Sequence, residues 1–388
     1  MLLIDKPYVS DLLIDTIKKN SWPVVGTPQA KDLAPQLQGL FQNDEDAVKA
    51  FETNPMLYVN SENTISWINE HLAHTKIPDQ VNIFKNKGVF RDMLHDLYPE
   101  FKYRKIDYKE LRNFDPKEFG YPLIIKPAVG FFSMGIYVVE NRQDWDDALF
   151  NLEEELQQVK GIYPDEVMND HQFLLEQLIP GDEYAVDIYF DKDSKPVILN
   201  IYEHIFTNAK DVNDRAYFSS IKVIDKTYAI FEEKLKYIGE KTGVKLFPMH
   251  IEWRITPDGE AIPIESNPLR FAGWCMADMT RFSWRYNPYE YFFNQQKPNW
   301  DDIFSGRTGK QFNVIIADIP RDIPLEAIDY VDYRKFEKDF SNLLHIHKTN
   351  YREYPVFAFA FSETRTSDKD ELAHFLHSDL TEYIVLKS

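Results

Sequence analysis

Short apolar runs alternate along this chain with stretches in which apolar positions recur at helical spacing, the two periodicities of strand and helix. Over residues 1–82, segments such as Pro23–Val25 and Leu57–Val59 alternate with amphipathic stretches and predict a small α/β lobe. From Tyr121 the run PLIIKPA ends in a Lys-Pro pair. After a Gly-containing turn, IYVVEN offers a second strand, so the two predict a hairpin. Trp145, Ala148, Leu149, Leu152 and Leu156 then share one face of a helix over 144–160, placed to pack on that hairpin.

The segment FLLEQLIPGDEYAVDIYFD predicts an apolar strand, a turn at Pro180-Gly181 and an alternating strand with Ala185, Asp187 and Tyr189 on one face. PVILNIYEHIF continues the sheet. A polar loop over 208–220 precedes a helix around 229–242. MHIEWRI and AIPIESNP are then joined by the turn Pro257-Asp258-Gly259, a second hairpin. From about Phe292, NVIIADIP, YPVFAFAFSE and EYIVLKS predict a strand-containing C-terminal extension. No internal repeat or low-complexity tract is present.

Composition sharpens this picture at three points. A 388-residue chain, 44% hydrophobic with 28 Phe, 22 Tyr and 7 Trp, can fill two or three packed lobes. The balance of 44 Lys and Arg against 63 Asp and Glu gives a formal charge of -19, which repels nucleic-acid phosphates and anionic lipid. The single cysteine, Cys275, rules out an internal disulfide and a Cys-rich zinc cluster and suits a reducing cytoplasm. The N-terminus carries Asp5, Asp11 and Asp15 and lacks the apolar core of a signal peptide. No apolar run approaches the ~18 residues needed to cross a bilayer. A soluble, cytoplasmic protein is expected.

The candidate chemistry concentrates in the second hairpin. Glu252 alternates with Ile251, while Glu265 and Asn267 lie two apart and share a sheet face. Oxygen donors of this kind suit Mg²⁺ with a nucleotide better than zinc. A solvated polar strand face is the plainer alternative. Upstream, Lys126 precedes a turn holding Gly130, Ser133 and Gly135, where a compact charge and backbone N–H groups can meet phosphate oxygens. An ordinary hairpin turn beside a surface lysine is the bland alternative. GxGxxG, GxxxxGK[ST] and HExxH are all absent, so dinucleotide oxidoreductase, P-loop NTPase and zincin readings lack their defining loops.

The motif HIEWRITPDGEAIPIESNPLR resembles the end of the nucleotide site in the ATP-grasp superfamily, an acid on one strand and Glu-x-Asn on the next. The spacing of 13 from Glu252 to Glu265 is similar to the family's. The resemblance extends over residues about 85–273. It implies an α/β (α+β) ATP-grasp fold, two α/β lobes clasping ATP, with an N-terminal pre-ATP-grasp α/β domain at 1–82. The small lobe with its phosphate-binding flap would span 83–175, the large lobe with the Mg²⁺ site 176–291, and a C-terminal extension 292–388.

In residues, the resemblance implies Mg²⁺, or Mn²⁺ in its place, held by Glu252, Glu265 and Asn267. ATP phosphates would meet Lys126 and Ser133, in a flap that departs from the family's by its two glycines and by Phe131 and Phe132. LLEQLIPGDEY resembles the adenine hinge. Glu176, Gln177, Leu178 and Ile179 would line the base and Glu183 the ribose hydroxyls, although a surface acid is the plainer reading of Glu183 alone. Lys87 sits where the family has a further phosphate- or adenine-facing lysine. Arg270, three residues after Asn267, is the first candidate to grip a substrate carboxylate bidentately. Arg254, Arg215 and Lys210 are further cations, Arg254 as a brace for Glu252. His250 stands where some members carry a catalytic arginine.

The resemblance is strongest to the carboxylate-amine, or amino-acid, ligase branch. It implies an ADP-forming ligase that activates a carboxylate as an acylphosphate and joins it to an amine. Small-molecule substrates follow, without nucleic acid or membrane, and a homodimer is compatible. An ATP-grasp carboxylase or kinase, or a non-catalytic ATP-binding regulatory protein, stays open at this point.

Overall fold

The computed structural model describes residues 1–129, 135–159, 172–207, 213–320 and 322–387, with the side chains of 156–159 excluded. The chain divides into two compact units, a larger one of Met1–Pro78 with Asp182–Ser388 and a smaller one of Asp79–Gly181.

The larger unit begins with a parallel sheet of four two-residue strands, β1 (Leu2–Leu3), β2 (Val24–Val25), β3 (Phe41–Gln42) and β4 (Tyr58–Val59), in the order β3-β2-β1-β4. Helices connect them, as parallel strands require. The first, Asp11–Asn20, starts at the N-cap Ser10, whose side chain accepts from the Leu13 N–H. It buries Leu13, Ile14 and Ile17, the spacing of one helical face.

The smaller unit is built on a four-stranded antiparallel sheet of β5 (Tyr103–Asp107), β6 (Leu123–Pro127), β7 (Tyr137–Val139) and β8 (Gln172–Gln177), ordered β5-β8-β6-β7. The hairpin expected from PLIIKPA and IYVVEN is β6 with β7, with Leu123 opposite Val139. The helix Arg142–Val159 lays Trp145, Ala148 and Leu152 into one core with Leu123, Ile125 and Val139, and Leu149 packs at its margin. The Leu156 side chain lies outside the described residues.

Pro180-Gly181 does not close a hairpin. It ends the smaller unit, and β9 (Asp182–Phe190) opens the main sheet of the larger unit. With β10 (Pro196–Ile205), β11 (Ala216–Ser220), β12 (Phe247–Ile255), β13 (Ala261–Pro268), β14 (Lys310–Asp318), β16 (Leu343–Lys348) and β17 (Val356–Arg365), that sheet has eight antiparallel strands. Their order is β13-β12-β9-β10-β11-β14-β17-β16, so the C-terminal strands continue the sheet that carries Glu252 and Glu265. A separate two-stranded sheet pairs β15 (Ile328–Val331) with β18 (Ile384–Leu386).

The helix Ile221–Thr242, capped by Ser220, packs against β10, β11 and β13. Its Phe231 ring sits 5.9 Å from Tyr184 and 5.4 Å from Trp253, on the side of the sheet opposite the polar residues described below. Among the described residues no helix is long and apolar enough to cross a membrane.

Candidate active site

In the larger unit, strand register collects the polar side chains. Directly opposed residues of antiparallel strands share a face. Glu252 on β12 faces Glu265 on β13, and His250 faces Asn267. A register shift after Glu252 brings Trp253 opposite Pro263 and leaves Ile264 unopposed, so the two carboxylates meet across the strands. The next strand places Asp187 beside His250 and Glu183 beside Arg254, and β10 adds His204 opposite Glu183. The turn between β12 and β13 is made by Gly259 at φ 91, with the Gly259 N–H donating to the Thr256 carbonyl at 2.8 Å.

Asp187 is fully buried and accepts three hydrogen bonds: from Tyr202 Oη at 2.8 Å, from the Ala272 N–H at 2.7 Å and from His250 Nδ1 at 2.8 Å. The other ring nitrogen of His250 faces Glu252 Oε1 at 3.7 Å. Burial pulls the His250 pKa down, but the two flanking carboxylates outweigh it and raise it to about 9, so the ring is an imidazolium at neutral pH. Glu252 is shifted upward by burial. His250 opposes that shift, and the Glu265 and Asp214 charges reinforce it. Glu252, Glu265 and Asn267 thus lie on one face of the hairpin, two carboxylates and a carboxamide, oxygen donors of the kind that hard divalent cations take, although no group of three or more acidic, histidine or cysteine side chains that could hold a metal is present among the described residues.

Glu183 accepts from His204 Nδ1 at 2.8 Å and from Arg254 Nε at 3.1 Å. Burial raises its pKa, yet these two cations outweigh burial and hold it below the usual carboxylate range. Arg254 therefore braces Glu183 rather than Glu252, because the register sets it directly across from Glu183. Arg215 is not a site cation. It bonds Asp318 at 2.8 Å and the Ser378 carbonyl at 2.6 Å, fastening the C-terminal helix Asp370–His377 to β14. Lys210 lies outside the described residues. Arg270 donates to Glu62 at 2.9 Å and to the Phe271 carbonyl at 3.0 Å. A bond from the Val59 N–H to the Leu269 carbonyl ties β4 to the chain just before Arg270.

In the smaller unit the central carboxylate is Glu176, 1% exposed. Arg91 approaches it through Nε at 2.5 Å and Nη2 at 3.2 Å, and Lys126 through Nζ at 2.7 Å. Lys126 and Glu176 are diagonal neighbours on β6 and β8. Lys87 opens the helix Lys87–Leu94 behind the N-cap Asn86, and its N–H donates to the Ala128 carbonyl just past β6. Burial pushes the Glu176 carboxyl up, but Arg91 and then Lys126 pull it to about 2. Arg91 and Lys126 thus share a single carboxylate, and Arg91 Nη1 is buried without a hydrogen-bond partner among the described residues. Along the hinge stretch, the Gln177 N–H donates to the Lys102 carbonyl, the Leu178 N–H to the Pro122 carbonyl, and Ile179 is buried. Ser133 lies outside the described residues.

Sequence reasoning did not single out Arg91, Glu62 or His204, and it saw Asp187 only as one position of a strand face. Arg91 carried one readable signal, its place four residues after Lys87 on the same helix face.

Residues 119–278 match the family model described as ATP-grasp domain, so this stretch of the chain is an ATP-grasp domain. Solved structures similar over the whole chain include an L-amino acid ligase from Bacillus licheniformis, at TM-score 0.69 and 16% identity, covering 100% of this chain and 98% of that one. N5-carboxyaminoimidazole ribonucleotide synthetase from Thermotoga maritima is similar at TM-score 0.65 and 15% identity, covering 100% and 99%. The biotin carboxylase domain dimer of Hydrogenobacter thermophilus 2-oxoglutarate carboxylase, solved with MgADP, ADP and bicarbonate, is similar at 0.63 and 13%, covering 100% and 90%. No curated protein is similar enough to the chain to match it. At these identities the structural likeness is one of fold, the ATP-grasp fold. ATP-grasp enzymes use ATP with Mg²⁺.

Proposed function

We propose that this protein is an ATP-dependent ligase that activates a substrate carboxylate as an acylphosphate and joins it to an amine, with amino acids or small peptides as substrates. The observation that carries the reading is the opposed pair Glu252 and Glu265 with Asn267 on one face of the β12–β13 hairpin. These three residues would hold Mg²⁺, which when bound offsets charge on the nucleotide phosphates. Glu183 would accept from ribose hydroxyls, and residues 176–179 would line the base. Lys87, Lys126 and Ser133 would meet the phosphates.

In the first half-reaction a carboxylate oxygen of the substrate bonds to the γ-phosphorus as the bond to ADP breaks. In the second, the amine nitrogen bonds to the acyl carbon, inorganic phosphate leaves and the amine gives up a proton. Arg270 would take a substrate carboxylate through its planar fork, in place of its present partner Glu62. An L-amino acid ligase is among the solved structures that share the fold over the whole chain, as are carboxylases, so the hydroxylamine test below decides between these outcomes.

Hydroxylamine trapping tests the acylphosphate. Incubated with Mg-ATP and amino acids offered singly, the protein should form an acyl hydroxamate together with ADP. ADP formation that depends on bicarbonate, with no hydroxamate from any amino acid, would instead assign the carboxylase reaction.

A further inference from the structure

Within the larger unit, the two hydrogen bonds of His204 fix its charge. Its Nδ1 lies 2.8 Å from Glu183 Oε1 and its Nε2 lies 3.2 Å from the Asn213 carbonyl oxygen. That carbonyl also accepts from the Arg215 N–H at 2.9 Å. Both partners are acceptors, an ionised carboxylate on one side and a backbone carbonyl on the other, so both ring nitrogens carry a proton and the ring is an imidazolium. Burial lowers the His204 pKa, but the bond to Glu183 and the Glu183 charge outweigh burial and raise it, in agreement with this state. The residue is 5% exposed and flanked by two aromatic rings, Phe206 at 3.9 Å and Tyr217, which stacks on it at 4.0 Å. These neighbours hold the imidazole in one orientation.

Arg254 takes the other oxygen, Glu183 Oε2, through Nε and Nη2, each at 3.1 Å. An arginine and a carboxylate left to themselves favour the fork-to-fork arrangement, in which both oxygens face the guanidinium. The terminal torsion of a glutamate is broad, so Glu183 alone does not resist that rotation. We infer that His204 is a positioning residue for nucleotide binding: it holds Glu183 Oε1 away from Arg254, in the orientation from which the carboxylate accepts from ribose hydroxyls. The inference rests on the reading of Glu183 as the ribose acceptor, and it adds a residue that acts through that side chain. A carboxylate oxygen can accept twice, so the bond from His204 leaves Oε1 able to take a hydroxyl as well.

The test is the affinity of the full chain for ADP, 2′-deoxy-ADP and 3′-deoxy-ADP, each with Mg²⁺, measured by calorimetry. The wild type should bind ADP about tenfold more tightly than at least one deoxy analogue, as expected for a hydrogen bond to a charged acceptor. His204→Phe keeps the aromatic packing and removes both N–H donors. It should weaken ADP about tenfold and that deoxy analogue by less than about twofold, so that the preference disappears. His204→Asn, whose amide nitrogen replaces Nδ1, should keep most of the preference. His204→Gln, whose amide nitrogen reaches instead towards the Asn213 carbonyl, should lose it. A purely structural histidine would weaken all of these nucleotides alike, so an unchanged preference in His204→Phe overturns the inference. If His204→Phe does not fold, the Asn and Gln variants decide, and an equal preference in both overturns it. A wild type that binds ADP and both deoxy analogues equally removes the ribose reading of Glu183 and the inference with it. A wild-type preference that survives in every His204 variant removes the inference alone.

Discussion

Glu252 and Glu265 stand directly across from each other on adjacent antiparallel strands, a like-charge pair that the strand geometry forces together. Opposed like charges destabilise a strand pair, by roughly 0.2–1 kcal/mol at such positions. On the proposed reading, a cation bound between them relieves this repulsion. Glu265→Gln should therefore raise the melting temperature of the metal-free protein slightly, by an amount equivalent to about 0.5 kcal/mol, while Mg²⁺ no longer raises it further. Differential scanning calorimetry with and without Mg-ADP checks both parts. A variant less stable than the wild type in EDTA would contradict the electrostatic account.

The buried Glu176 gives the smaller unit an acid-labile element. Its folded pKa, about 2, lies below the ordinary 4.5, so its contribution is fully present above pH 4.5 and is lost as pH falls towards 2. Such a shift corresponds to a few kcal/mol, roughly 1.4 per pH unit. The difference in urea unfolding free energy between wild type and Glu176→Gln should shrink between about pH 5 and pH 2.5. A difference that does not change with pH over that window would show that Glu176 is not held as an ion.

Gly239 sits inside the helix Ile221–Thr242, where alanine would ordinarily be favoured by about 1 kcal/mol. Here a Cβ would collide with the Ser194 carbonyl oxygen and come within 2.9 Å of the Phe190 ring. A backbone carbonyl cannot swing away as a flexible side chain can, so overpacking outweighs propensity. Gly239→Ala should lower the unfolding free energy by on the order of 1–2 kcal/mol. Stabilisation instead would mean that the helix stands further from the 190–194 turn.

Arg270→Lys keeps a positive charge near Glu62 but loses the planar fork. If Arg270 holds a substrate carboxylate, the KM for that substrate should rise about tenfold while the KM for ATP stays the same. An equal rise in both would point to a structural role through Glu62 and the Phe271 carbonyl.

Local signals carried the hairpins. Alternation in MHIEWRI and AIPIESNP, with a Pro-Asp-Gly turn between, predicts the hairpin, because strand periodicity and turn type are short-range properties, whereas the register shift that sets Glu265 opposite Glu252 was not legible. The hairpin of β6 with β7 was legible in the same way. Long-range pairing was not legible. Arg91 and Glu176 are 85 residues apart, and Glu62 and Arg270 are 208 apart, so no window of sequence shows either ion pair. Arg254 was placed on the correct face, but its partner depended on which strand lies beside β12. The helix expected around 229–242 begins at Ile221, where Ser220 caps it. Asp187 could not be told from any other strand acid until the chain buried it against Tyr202, His250 and Ala272.

The most direct test of the central claim is phosphate release from Mg-ATP with amino acids offered singly and in pairs, the products read by mass spectrometry and Glu265→Gln run beside the wild type. The account predicts release that needs two substrates, a product lighter by one water than their sum, and no turnover in the variant with its fold intact. Turnover in Glu265→Gln near that of the wild type, or a wild type that binds ATP yet releases no phosphate with any pair, would contradict it.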